Sequence, residues 1–167
     1  VHGIRRGDGP WTVAWRNIKI REFGWQSLYN GKDLKGWKTT GNWLPQKDGV
    51  LLIKPRKGER GWQRYGDYIW TEKKYNDFVL DLEYSYPKGG NSGVFFRVGD
   101  TSSPVDTGIE AQILDSSQKK GKMTHHDHGG IIRTIGASQN MSKKPNEWNH
   151  MMLSLIHISE PTRHRYI

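Results

Sequence analysis

The ten residues 77–86, DFVLDLEYSY, constrain this chain more than any other stretch. Phe78, Leu80, Leu82, Tyr84 and Tyr86 fall on one side of an extended backbone, and Asp81, Glu83 and Ser85 on the other. Alternation with a period of two buries one face of a strand and wets the other, and a 3.6-residue helical period does not produce it. The pattern recurs: Ile18 and Ile20 alternate with Asn17, Lys19 and Arg21. Residues 49–54 (GVLLIK), 68–71 (YIWT), 94–98 (VFFRV) and 108–115 (GIEAQILD) read as further short strands. Turn signals separate them, among them Asn30-Gly31, where both positions tolerate positive φ, and the loop-like run 87–93 (PKGGNSG). Many short strands without a helical period predict an all-β chain, an antiparallel β-sandwich. Hydrophobic residues are only 34% of the chain, but eight Trp and seven Tyr supply large units of burial for such a fold.

The formal charge of +9 raises nucleic acid as a partner. Its distribution argues against one. The excess is shared among both ends and loop-like stretches such as Lys54-Pro-Arg-Lys57 and Lys119-Lys120, with no basic stripe along one element. The chain has no cysteine, which excludes disulfides and thiolate metal sites. No apolar run approaches the ~20 residues of a membrane-spanning helix.

Alternation also sorts the side chains that could do chemistry. In residues 108–115, Ile109, Ala111 and Ile113 are expected inward, sending Glu110 and Gln112 to the opposite face. In residues 93–98, Val94 and Phe96 are expected inward, leaving Phe95 and Arg97 on that outer face. Asp81 and Glu83 project likewise from their own strand. An open groove carrying Glu110, Gln112, Arg97 and Glu83 is one reading. The other is a solvated sheet face laced with ion pairs such as Arg97–Glu110. Asn91 in the glycine-rich loop and Asp115 at a strand end join the groove candidates. In residues 124–128 (THHDH), His125, His126 and Asp127, before His128, could ligate a divalent metal or act as general acid and base. The alternative there is a His-rich surface loop.

A set of motifs in fixed order carries a resemblance. They are residues 27–37 (SLYNGKDLKGW), 68–75 (YIWTEKKY), 77–84 (DFVLDLEY), 89–97 (GGNSGVFFR), 108–115 (GIEAQILD), the His-rich 124–130 and 140–148 (NMSKKPNEW). Together they resemble the 3-keto-disaccharide hydrolase family. The resemblance implies a concanavalin A-like jelly roll, acting on glycosides oxidised at C3, in a protein exported to the periplasm or cell surface. It covers residues 24–152, which read as a C-terminally truncated domain. Residues 15–22 (WRNIKIRE) resemble the closing strand of such a domain although they precede its opening motif. Residues 1–23 are therefore expected to end a preceding, mostly missing tandem copy, or to pair where a closing strand belongs. Residues 153–163 (LSLIHISEPTR) resemble the translation of a transposase-based sequencing adapter, so 153–167 are expected to be non-native.

What the family chemistry implies for these residues follows from the ketone. A C3 carbonyl acidifies the hydrogen on C2, so a base can remove it while the group on C1 leaves, after which water adds back. Glu110 as base or metal ligand, His125, His126 and Asp127 as acid or metal ligands, and Arg97 over the developing anion are expected to fill those roles. Gln112, Asn91, Glu83, Phe95 and Asp115 would contact substrate, and Trp37, Trp43, Trp62 and Trp70 would either stack on sugar rings or pack the core. The rival expectations are a non-catalytic carbohydrate-binding module and an interaction domain of a larger surface protein.

Overall fold

A computed structural model of the chain describes residues 2–4, 12–21, 24–59 and 63–156. Eleven strands are defined there: β1 (His2–Ile4), β2 (Val13–Arg21), β3 (Trp25–Ser27), β4 (Trp37–Lys38), β5 (Trp43–Pro45), β6 (Leu51–Ile53), β7 (Trp70–Thr71), β8 (Phe78–Ser85), β9 (Asn91–Phe96), β10 (Ile109–Leu114) and β11 (Asn149–Leu155). The helical elements among the described residues are a single 3-10 turn, Tyr65–Asp67, and one turn of α-helix, α1 (Pro104–Thr107). The protein is all-β.

Two antiparallel sheets face each other. The larger runs in the order β11-β8-β2-β6-β5, with β3 added to β2, and the smaller in the order β1-β9-β10. A β4–β7 ribbon stands beside them. Pro45 lies on β5, a sheet edge, where a missing N–H breaks no ladder. Leu80, Leu82 and Tyr84 of β8 and Trp15 of β2 meet Val94, Ala111 and Ile113 of the smaller sheet in one buried cluster. The alternation of residues 78–86 is realised side chain by side chain: Leu82 is 1% exposed and Tyr84 fully buried, while Asp81 and Glu83 are half-buried on the outer face.

β2 is the centre of the larger sheet, between β8 and β6. Its buried residues are Val13 and Trp15, then Ile18 and Ile20, a step of three where a flat strand allows two. The register against β8 shifts between Arg16 and Lys19, and Asn17 sits at φ 52°. This is a β-bulge, placed on a residue type that enters the left-handed region readily. It returns Ile18 to the core after Trp15. Residues 153–155, which the sequence sets apart, extend β11 alongside β8, with Leu153 opposite Leu80 and Leu155 opposite Phe78.

Between the sheets lies a buried histidine. His128 Nε2 is 3.1 Å from the Tyr84 hydroxyl, the His128 ring contacts those of Tyr84 and Tyr86, and its backbone N–H donates to Ser116 Oγ. Burial holds its pKa below the ordinary histidine value. The folded state therefore resists a proton that the unfolded chain accepts near pH 6.5. Stability is expected to be full above that pH and to fall as the pH drops through and below it. Unfolding midpoints at pH 7.5 and 5.5 check this, and His128→Phe is expected to flatten the difference.

Candidate active site

The outer face of the smaller sheet collects the polar candidates. β9 and β10 pair so that Glu110 is opposite Phe95, Gln112 opposite Gly93, and Leu114 opposite Asn91. Asn91, Gly93, Phe95, Glu110 and Gln112 consequently share one side, away from Val94, Ala111 and Ile113. Gly93 leaves a hollow in that surface, and the Glu110 side chain lies over it: a Cβ at 93 would stand 2.8 Å from Glu110 Cγ and Cδ. Gln112 is 6% exposed and Asn91 8%, and Gln112 Oε1 and Asn91 Oδ1 have no hydrogen-bond partner among the described residues. Buried amide ends of this kind cost free energy unless something binds them, and a hydroxyl, both donor and acceptor, suits either end of an amide.

An aromatic wall rises beside Glu110. Tyr68 and Phe95 stack with ring centroids 5.8 Å apart, Trp70 lies 6.2 Å from Tyr68 and 6.4 Å from Phe95, and Tyr65 meets Tyr68 edge-on at 5.6 Å. Burial first, and the neighbouring Glu110 charge second, push the Tyr68 phenol well above its ordinary value. At neutral pH Tyr68 is a neutral hydrogen-bond donor next to a carboxylate. None of Tyr65, Tyr68 or Trp70 stands on the β9–β10 pair. Trp70 was already a stacking candidate; for Tyr65 and Tyr68 the tight sequence YGDYIW, three aromatic residues in six, was the available signal.

The histidine loop runs along the free edge of β10. Ile132 N–H donates to the Glu110 carbonyl (3.0 Å), Gln112 N–H to the Gly130 carbonyl (2.8 Å) and Gly129 N–H to the Gln112 carbonyl (2.9 Å). His125 Nδ1 accepts the Arg133 N–H at 3.0 Å, which leaves the proton on Nε2. His126 is exposed, with its ring centroid 4.1 Å from that of His125.

Other expectations are corrected. Arg97 is not the partner of Glu110: the strand ends at Phe96, Arg97 turns to φ 53°, and its guanidinium faces Asp77 at 3.5 Å. Glu83 belongs to the larger sheet, on the far side of the sandwich, held by Arg16 Nε (3.0 Å) and Asn17 Nδ2 (2.5 Å). Asp115 braces a loop, accepting from Gly89 N–H (2.8 Å) and Ser117 Oγ (2.7 Å). Asn91 lies on β9, not in a loop. Ile109 is 40% exposed where an inward side chain was expected. Trp37 and Trp43 are buried, their indole N–H groups donating to the Leu28 and Asp67 carbonyls, both at 2.8 Å. Trp62 lies outside the described residues.

His125, His126 and Asp127 do not fit a metal. Asp127 Oδ2 already accepts from Thr124 N–H and Oγ1, both at 2.7 Å, and faces Lys119 Nζ at 3.1 Å. Burial works to raise its pKa, but these donors outweigh it and hold the carboxyl below its usual range. His125 Nδ1 is taken by Arg133. No group of three potential ligands converges among the described residues. Among those residues, no helix is long and apolar enough to cross a membrane.

The family profile described as a 3-keto-alpha-glucoside-1,2-lyase-like domain matches residues 24–157. A 3-keto-disaccharide hydrolase of Bacteroides thetaiotaomicron is 26% identical over 146 residues, covering 75% of this chain and 50% of that protein. The chain thus spans about half the length of the curated relative it matches. A crystal structure of a candidate glycosyl hydrolase of Parabacteroides distasonis superposes on 77% of this chain and 62% of its own, with TM-score 0.58 and 24% identity. A second from the same organism is 38% identical over 52% of this chain and 45% of its own, with TM-score 0.48.

Proposed function

The chain belongs to the 3-keto-alpha-glucoside-1,2-lyase-like domain family, and from that membership we propose that its Glu110 face cleaves 3-keto-glycosides by removing the proton next to the ketone. The observation that carries the reading is one carboxylate seated in the Gly93 hollow under the Tyr68–Phe95–Trp70 wall. Glu110 takes the C2 hydrogen as a proton, and the electron pair moves toward the C3 oxygen as an enolate. The C1–O bond then breaks, leaving a 1,2-unsaturated 3-keto sugar and an alkoxide that takes a proton to become the free alcohol. Water adds at C1 with a proton returning to C2, which gives the hydrolysis product.

The electrophile for the C3 oxygen is the Tyr68 hydroxyl, kept protonated by its burial beside Glu110. His125, with its proton on Nε2, offers a hydrogen bond to the leaving oxygen, which takes its proton from water. Gln112 and Asn91 offer their buried amide ends to ring hydroxyls. The same reading takes residues 1–23 as the closing strand of a tandem copy and the native protein as exported to the periplasm or surface.

Product analysis with a 3-keto-disaccharide and its unoxidised parent tests the reading. Cleavage of the keto sugar alone is expected. Equal cleavage of both would reject the role of the ketone, and binding without turnover would identify a carbohydrate-binding module.

A further inference from the structure

We propose that one end of the sandwich is a docking surface for a membrane of anionic phospholipid. The proposal stands apart from the glycoside-cleaving reading and does not depend on it. The sequence scatters its basic residues, but the fold gathers six of them. Lys88, Lys119, Lys120, Lys122, Lys143 and Lys144 lie on three loops, residues 87–90, 115–122 and 140–147, and all six are exposed. Hydrogen bonds tie those loops together where β8 and β10 end and β9 and β11 begin. Gly89 N–H donates to Asp115 Oδ2 and Asp115 N–H to the Gly90 carbonyl, both at 2.8 Å. Asn140 Nδ2 donates to the Ser116 carbonyl at 2.8 Å, and Asn146 N–H to the Tyr86 carbonyl at 2.7 Å. Against the six lysines the loops carry two carboxylates. Asp115 is taken by Gly89 and Ser117, which leaves Glu147 as the exposed one.

Charge alone would suit any polyanion; an apolar tip selects lipid. Met141 is 73% exposed, more than any other large hydrophobic residue among those described, and it follows the Asn140 that pins its loop. A bilayer offers both halves of the match: phosphate-bearing headgroups for the ammonium groups, and an acyl boundary for the methionine side chain. A soluble anionic polysaccharide offers the first and gives Met141 nothing. Near an anionic leaflet each lysine strengthens binding roughly fivefold, so the cluster holds although no single lysine anchors it. Docking by this end keeps the candidate site clear of the lipid. Phe95, opposite Glu110, lies about 13 Å along β9 from Asn91 at the lysine end.

Co-sedimentation of the 167-residue chain with lipid vesicles tests this. The chain is expected to pellet with phosphatidylcholine vesicles containing about one-third phosphatidylglycerol and to stay in solution with pure phosphatidylcholine. About 1 M salt, which screens charges beyond about 3 Å, is expected to release it. Lys120→Gln, Lys122→Gln and Lys144→Gln together are expected to weaken binding about a hundredfold, with Lys119 left on Asp127 at 3.1 Å. The same charge removed at Lys32, Lys35 and Lys47, exposed where the turns at Gly31 and Gly49 abut, is expected to cost less than about threefold. Met141→Ser is expected to weaken vesicle binding by about three- to tenfold and to leave retention on heparin unchanged. All these side chains are exposed, so unfolding midpoints should match the parent's. Equal binding to both vesicle types, binding to neither, or equal losses from the two lysine triples would overturn the proposal. Vesicle binding indifferent to Met141→Ser, or retention on heparin by a chain that ignores vesicles, would overturn it in favour of a site for soluble polyanions.

Discussion

Glu110→Gln lowers kcat/KM for 3-keto-glycoside cleavage by roughly a hundred- to ten-thousand-fold, the range for loss of a positioned general base. The amide matches the carboxylate in shape, so the Gly93 hollow still receives it, but an amide cannot take a proton from C2. Thermal unfolding should move little, since residue 110 is half-buried on an outer face. Gly93→Ala tests the same geometry without touching the acid. Its backbone is ordinary strand, so alanine fits the chain, yet the new Cβ would stand 2.8 Å from Glu110 Cγ and Cδ. The carboxylate has to move, and a displacement near 1 Å costs about a hundredfold in rate. Steady-state kinetics on the two variants, with unfolding curves beside them, separate a misplaced base from a damaged fold.

Trp15→Ala has the largest expected effect on stability, about 3–5 kcal/mol. That is a large share of the roughly 5–15 kcal/mol by which a domain is stable. Trp15 is 1% exposed, packs against Tyr84 with centroids 5.7 Å apart and belongs to the central strand of the larger sheet. Its position gives the variant a second meaning, because residue 15 precedes the family match, which begins at residue 24. A domain whose middle strand lies outside its own family segment should unfold when that strand is cut away. Urea unfolding of Trp15→Ala, and limited proteolysis before residue 24, measure this. Removal of the segment without loss of stability would contradict the role of β2. Met152→Ala, on the exposed side of β11, serves as the surface control and should fall within about 0.5 kcal/mol of the parent.

Alternation revealed which way a side chain points, and little beyond that. It put Glu110, Phe95 and Gln112 on one side of the smaller sheet because β9 and β10 are regular and paired without a shift. It failed for Glu83 because in and out are properties of one strand, whereas the choice of sheet is tertiary: β8 joined β2 and β11 on the far side. Arg97 was misplaced by a single left-handed residue, which breaks the period at a strand end without altering composition. The bulge at Asn17 was hidden in the same way, since Ile18 and Ile20 alternate correctly on their own and only the pairing with Trp15 exposes the extra residue. The histidine motif was legible as chemistry and not as geometry. Its neighbours decide what each group can do: Thr124 and Lys119 occupy Asp127, Tyr84 takes His128, and Arg133 N–H takes His125 Nδ1.

Cleavage carried out in deuterium oxide bears most directly on Glu110 as the base at C2. Proton abstraction followed by addition of water predicts a 3-keto product carrying one deuterium at C2, above the exchange of the free keto sugar without protein. With Glu110→Gln, both cleavage and label should fall together. A cleaved product that keeps its original C2 hydrogen, from a substrate whose C2-deuterated form is cleaved just as fast, would mean that the C1–O bond breaks without proton removal at C2, and Glu110 would not be the base.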